Sequence, residues 1–168
     1  MIFDPRKKHY KNKIRVVQMK IWDMEFLRYE LRAVREGVRI NHDQSKELLD
    51  GLKRRLAGEK YNFYYCASQD EVGYKDIPIL PDDLEKLPDE PKDTKDFRFY
   101  KKKRENINEQ VCQNLKSSIQ KYSDQIEQFK KQLEGIDGQI EGQNGVNEKI
   151  EGLRNAIALL KEHIKKSS

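Results

Sequence analysis

Ile14, Val17, Ile21, Met24, Leu27, Leu31, Val34 and Val38 recur at steps of three and four residues. At about 100° per residue, this spacing puts them on one face of an α-helix. No Gly or Pro interrupts residues 10–36, and Gly37 supplies a C-terminal stop. Trp22, Phe26, Tyr29 and Ala33 make a second apolar stripe, well over about 100° round from the centre of the first. Gln18, Glu25, Arg32 and Glu36 separate the two faces on one side, and Asp23 and Glu30 on the other. A helix lying on a surface needs one apolar stripe. Two predict a helix packed between partners, with either this chain or another subunit on the Trp22 face.

A second helix is predicted from Asn41, a favoured N-cap, with Gln44 completing a capping box. Leu48, Leu49, Leu52 and Leu56 line one face, and Gly58 ends it. The connection at residues 37–40 is short, so the two helices are expected to form an antiparallel hairpin.

The C-terminal third carries the longest pattern. Cys112, Ile119, Ile126, Leu133 and Ile140 occupy heptad position a, and Leu115, Tyr122, Phe129 and Ile136 occupy d. A second register runs through Val146, Ile150, Leu153, Ile157, Leu160 and Ile164, displaced by three residues from the first. Between them lies Glu141-Gly142-Gln143-Asn144-Gly145, and Asn147 is placed to cap the second of these helices. A turn joining two antiparallel helices is the expected outcome; one continuous helix with a stammer is the other. The first half of the long heptad helix, with Ile107, Val111 and Leu115, then needs a further surface to cover it.

The middle of the chain reads differently. Tyr61-Asn62-Phe63-Tyr64-Tyr65-Cys66 and Phe97-Arg98-Phe99-Tyr100 favour strands. Ile77-Pro78-Ile79-Leu80 suits an edge or a loop. Pro81 to Asp96 holds three prolines and seven acidic residues and reads as a solvated linker with at most one helical turn, at Asp82–Leu87. The predicted fold is therefore mainly α. Residues 1–58 form a basic arm and N-terminal helical hairpin, 59–102 a small aromatic β ribbon with an acidic linker, and 103–168 a C-terminal antiparallel coiled-coil hairpin.

Composition narrows the function. The chain is 36% hydrophobic and 38% charged, against usual values of about 45–50% and 25%. That favours long helices burying narrow seams over a thick core. No run approaches the ~18 apolar residues of a membrane span, and the positive N-terminus has no apolar run behind it, so a cytoplasmic protein is expected. Cys66 and Cys112 match no zinc or redox spacing and are expected to be free, buried thiols. His9, His42 and His163 converge on no partner, and no nucleotide, zinc or nucleophile signature occurs. No catalytic residue, metal site or cofactor is expected, and the chain is read as non-enzymatic.

The net charge of +5 is unevenly spread: residues 1–20 carry +6, residues 61–96 carry −6, and residues 97–104 carry +5. The leading expectation is a helical structural or protein-interaction subunit that joins copies of itself or other subunits. Trp22, Phe26, Tyr29, Ile107, Val111 and Leu115 are its candidate contacts. The alternative is a basic nucleic-acid-binding accessory protein. There, Lys7, Lys8, Lys11, Lys13, Arg15, Arg98, Lys101, Lys102, Lys103 and Arg104 would neutralise phosphates while nearby aromatics stack on bases.

Overall fold

A computed structural model describes residues 5–92 and 98–166. The protein is mainly helical, with a small antiparallel sheet in the middle of the chain. The helices are α1 (Pro5–Lys60), α2 (Glu109–Glu141) and α3 (Val146–Lys166). The strands are β1 (Tyr61–Tyr65), β2 (Glu71–Val72) and β3 (Phe99–Lys103), in the order β2-β1-β3. A 3-10 turn spans Pro81–Lys86.

The expected N-terminal hairpin is absent, because α1 runs unbroken through Gly37 and Asn41. The reason lies in the seam. Positions 14, 17, 21, 24, 28, 31, 35, 38, 42, 45, 49, 52 and 56 alternate steps of three and four, and each is buried or half-buried. Arg28, Arg35, His42 and Ser45 occupy four of these positions, which hides the continuity from a hydrophobicity pattern. One helical Gly costs only about 0.5–1 kcal/mol relative to Ala, too little to break a seam of that length. Gly58 does not end the helix either; it is buried under the Tyr74 ring.

The chain forms two compact units, Met1–Ile40 with Phe129–Ser168, and Asn41–Gln128. The central unit holds the sheet. Phe63, Ile77 and Leu84 are fully buried with Ala57 and Leu87, and Tyr61, Val72, Tyr74, Ile79 and Phe99 pack around them. Phe63, Ile77, Leu84 and Leu87 each contribute about 1.5–3 kcal/mol by burial. In the ladder, Tyr64 faces Tyr100 and Tyr65 faces Phe99. The first pair stacks at 5.1 Å and the second meets edge-on at 5.3 Å. The third strand is Glu71–Val72, while residues 77–80 are irregular. Phe97, also expected in a strand, lies outside the described residues.

The supposed solvated linker is anchored over its first half. Leu84 and Leu87 enter the core, Pro81 is buried, and Lys53 and Lys60 pair with Asp82 and Glu85 at 3.0 and 3.1 Å. The many acidic residues conceal two well-placed leucines. Arg54 completes the tie: its guanidinium donates to the Ile77 carbonyl at 2.9 Å and the Ile79 carbonyl at 2.7 Å. These carbonyls belong to irregular chain, whose polar backbone groups need partners from elsewhere.

In the terminal unit, α3 begins after the expected turn at residues 142–145, where Asn144 takes a positive φ of 60°. Asn147 does not cap it; its side-chain oxygen accepts from Arg28 at 3.1 Å, and Glu148 reaches back to the Asn144 N–H at 2.8 Å. The sequence paired this helix antiparallel with α2; here it packs antiparallel on α1 instead. Ile21, Val146, Ile150 and Ile157 form the buried cluster, with Ile14, Val17, Met24, Leu31 and Leu153 around it. Arg28 meets Asn147, Glu25 accepts from Arg154 at 3.2 Å, and Tyr10 stacks on His163 at 5.6 Å. Descending numbers on α1 thus meet ascending numbers on α3. Asp137 of α2 meets Arg35, so α2 also enters this unit antiparallel to α1. The turn therefore bends the chain between two helices that run along α1 in the same sense, because α1 already supplies the apolar face that α3 needs.

Candidate functional site

The long heptad of α2 is used internally. All nine of its a and d positions, Cys112 to Ile140, are buried or half-buried, with Cys112 and Leu115 among the most enclosed. Leu115 is therefore no free contact, and Ile107 and Val111 are half-buried. Asn108 accounts for the start of α2: its side-chain oxygen accepts from the Val111 N–H at 3.2 Å, as an N-cap does. Of the two thiols, Cys112 is buried as expected, and Cys66 is half-buried beside the Lys92 carbonyl at 3.4 Å.

The other three candidate contacts stand apart. Trp22, Phe26 and Tyr29 are 60%, 62% and 71% exposed. Met19 and Ile40, on the same stripe of α1, are exposed too. On a wheel of about 100° per residue, the stripe lies roughly 150° from the seam that faces α3. Its flanks carry Glu25 and Arg32 on one edge and Asp23 and Glu30 on the other. Such a face has one unambiguous chemical capability: it can exclude water against another apolar surface over several helical turns, with aromatic rings as anchors. Sequence spacing found this stripe but left open whether the chain itself would cover it.

The basic candidates are divided in their surroundings. Lys101 is 9% exposed; its ammonium donates to the Glu85 carbonyl and lies 4.5 Å from the centre of the Tyr61 ring. Arg104 donates to the Tyr61 carbonyl at 3.4 Å. Lys102 and Lys103 are exposed on β3, Lys102 lying 5.6 Å from the Tyr64 ring centre, and Arg98 is exposed before the strand. Near the start of α1, Lys8, Lys11, Lys13 and Arg15 are exposed and Lys7 is half-buried. The 97–104 block is thus partly consumed in holding β3 to the 3-10 turn, a use that a charge count cannot reveal.

Two further polar arrangements are structural. Arg35 donates to Asp137 at 2.5 Å, and the Asp137 carboxylate, by hydrogen bond first and by charge second, raises Arg35 above the ordinary arginine value. His42 contacts Asp43 at 3.0 Å through Nδ1, while its Nε2 is buried without a partner among the described residues. Among the described residues, no group of three or more His, Cys, Asp or Glu side chains is placed to hold a metal ion. No helix among them is long and apolar enough to cross a membrane. No protein-family model, curated protein or solved structure matches the chain.

Proposed function

We propose that the chain is a non-enzymatic helical interaction subunit that docks another protein surface through the Trp22 face of α1. One observation carries this reading: three large aromatic side chains stand side by side, each more than half exposed, on a helix whose opposite face is already packed. Scattered exposed apolar residues are normal, but a contiguous aromatic stripe marks an interaction surface. The composition supports it, since a chain this poor in apolar residues has few to leave in water without use. The test compares the wild-type chain with Phe26→Glu by cross-linking in the source cell followed by mass determination. Wild-type protein should enter a complex heavier than the 20.0 kDa chain, and the variant should not. Identical complexes, or none with either form, would refute the reading.

The nucleic-acid alternative draws on the same helix. Lys8, Lys11 and Arg15 are exposed, lie within about 60° of one another on the wheel, and lead into Met19 and Trp22. Binding of this kind should weaken with salt at a log–log slope of about −0.9 per phosphate contact on duplex DNA. Gln at these three positions should flatten that slope; an unchanged slope removes the alternative.

A further inference from the structure

We propose that the Trp22 face is covered by the same face of a second copy of this chain, the two α1 helices lying antiparallel about a twofold axis between Phe26 and Tyr29. The inference rests on the reading of that face as a docking surface and commits it to one occupant. Met19, Phe26, Ala33 and Ile40 stand seven residues apart, with Trp22 and Tyr29 three residues beyond the first two. These are the a and d positions of a heptad seam. In an antiparallel pair an a position meets a d position, so this seam closes on itself about its own centre. Phe26 of each copy then meets Tyr29 of the other.

Side-chain size fits that centre. Trp22 and Ala33 lie at equal distances on either side of it, so the bulkiest residue of each seam meets the smallest of the other, twice. Large-against-small layers are how facing helices fill space without voids. A parallel pair would stack Trp22 on Trp22 and Ala33 on Ala33, and would place Glu36 against Glu36, whereas the antiparallel pair sets each Glu36 across from Met19 and each Ile40 across from the aliphatic stem of Arg15 at the ends of the seam.

Charge on the flanks tells against the parallel pairing and is neutral towards the antiparallel one, in which Glu25 also keeps its own Arg154. The antiparallel pairing sets Glu25 of one copy beside Arg32 of the other, again twice, whereas parallel pairing would set Glu25 beside Glu30. The remaining flank brings Asp23 near Glu30 twice, a like-charge pairing that offsets the first flank, so the antiparallel flanks balance where the parallel Glu25–Glu30 repulsion has no such offset. The area lies at the lower margin, as suits a dimer that forms only as concentration rises. At 60–71% exposure and roughly 150–250 Å² per aromatic side chain, the three rings offer about 400 Å² per copy. Doubled, and with Met19 and Ile40 added, this approaches the ~1,200 Å² at which stable interfaces begin.

Trp22 is the single tryptophan of the chain and lies in the seam itself, so it reports on the interface. The experiment is sedimentation velocity of the full chain across a wide concentration range, with tryptophan emission recorded alongside. The mass should rise from 20.0 kDa towards twice that value, and emission should move to shorter wavelength as it does. Phe26→Glu should weaken dimerisation by about 30-fold or more while circular dichroism stays unchanged. Ala33→Trp should also dissociate the dimer, and adding Trp22→Ala to it should restore association. A dimer indifferent to Ala33→Trp overturns the antiparallel pairing. A monomer at every concentration overturns self-association; if a Phe26-dependent complex with another protein persists, the docking reading survives that failure, and without such a complex both fall. Should Phe26→Glu lose helix content, the concentration dependence of wild-type emission decides alone, and emission that never shifts counts against the proposal.

Discussion

Gly58 and Tyr74 offer the sharpest test of the central unit. A Cβ added at Gly58 would stand 2.3 Å from Cδ1 of Tyr74, 2.7 Å from Cε1 and 2.8 Å from Cγ. Ordinary carbon contacts begin at about 3.5 Å, so the ring would have to retreat by roughly 1 Å. It packs against the cluster of Phe63, Ile77 and Leu84, which leaves little room. Gly51 provides the matched control, since it lies in the same helix with nothing within 4 Å of its added Cβ. Replacing either by Ala gains the same helix propensity, about 0.5–1 kcal/mol. That gain cancels in the comparison and leaves the overpacking cost, about 1–3 kcal/mol. Gly51→Ala should therefore stabilise, and Gly58→Ala should fall below it by that margin. For a chain of this length the gap corresponds to about 2–4 °C of Tm per kcal/mol, read by thermal circular dichroism. On a Tyr74→Ala background the gap should close, which isolates the ring as its cause. If Gly58→Ala raises Tm as much as Gly51→Ala, the ring does not lie where this packing requires.

The polar ties of the same unit should behave as structural parts. Arg54→Leu leaves the Ile77 and Ile79 carbonyls without their charged donor and should cost about 2–4 kcal/mol in urea unfolding; a change below about 0.5 kcal/mol would contradict the assignment. Lys101→Gln should cost about 1–2 kcal/mol, whereas Lys102→Gln, on the exposed side of β3, should be near neutral; equal effects would show that the Lys101–Glu85 contact is not formed. Asp137→Asn should weaken the terminal unit slightly at low salt and less at high salt, because both partners are substantially exposed. The Arg35 value is raised, so its contribution is complete at every pH below the ordinary arginine value and is lost only above it. Stability between pH 6 and 9 should accordingly show no Arg35 titration, and a transition there that vanishes in Asp137→Asn would refute the pairing.

The parts of this fold legible in the sequence are those whose signal is carried by apolar residues alone. The α2 register from Cys112 to Ile140 and the α3 register from Val146 to Ile164 are buried or half-buried as spacing demanded. The break between them falls at the glycines that suggested it. Strand β1 follows from its aromatic run, and β3 falls partly on the aromatic segment and partly on Lys101–Lys103. Where polar residues occupy seam positions, the pattern misleads. Arg28 and Arg35 each lie on the packed face of α1 because Asn147 and Asp137 stand opposite to receive them. A single sequence shows the charge but not the acceptor, which lies 102 or more residues away. The same limit applies to the acidic segment, where Leu84 and Leu87 outweigh the carboxylates around them because α1 and the sheet supply their burial.

The candidate face was legible for the converse reason. Trp22, Phe26 and Tyr29 keep helical spacing out of phase with the packed seam, and no polar residue interrupts the three, so the second stripe shows in apolar spacing alone. Sequence did not resolve the competitor for that surface. α3 carries a register of its own, and its choice of partner decides how much of α1 remains open. Had α3 folded back on α2, the Ile21 face of α1 would have been left exposed in the terminal unit alongside the Trp22 face. Because α3 lies on Ile14, Val17, Ile21, Met24 and Leu31 instead, the aromatic stripe of α1 stays open, as do the smaller aliphatic side chains Val16, Leu27 and Val34 beyond Asp23 and Glu30. The consequence is directional: disrupting the Ile21–Ile150 packing should disturb the fold of the terminal unit, whereas Phe26→Glu should disturb association and spare the fold. The two substitutions thus test opposite faces of one helix, and equal effects of both on helix content would show that the Trp22 face is needed for the fold.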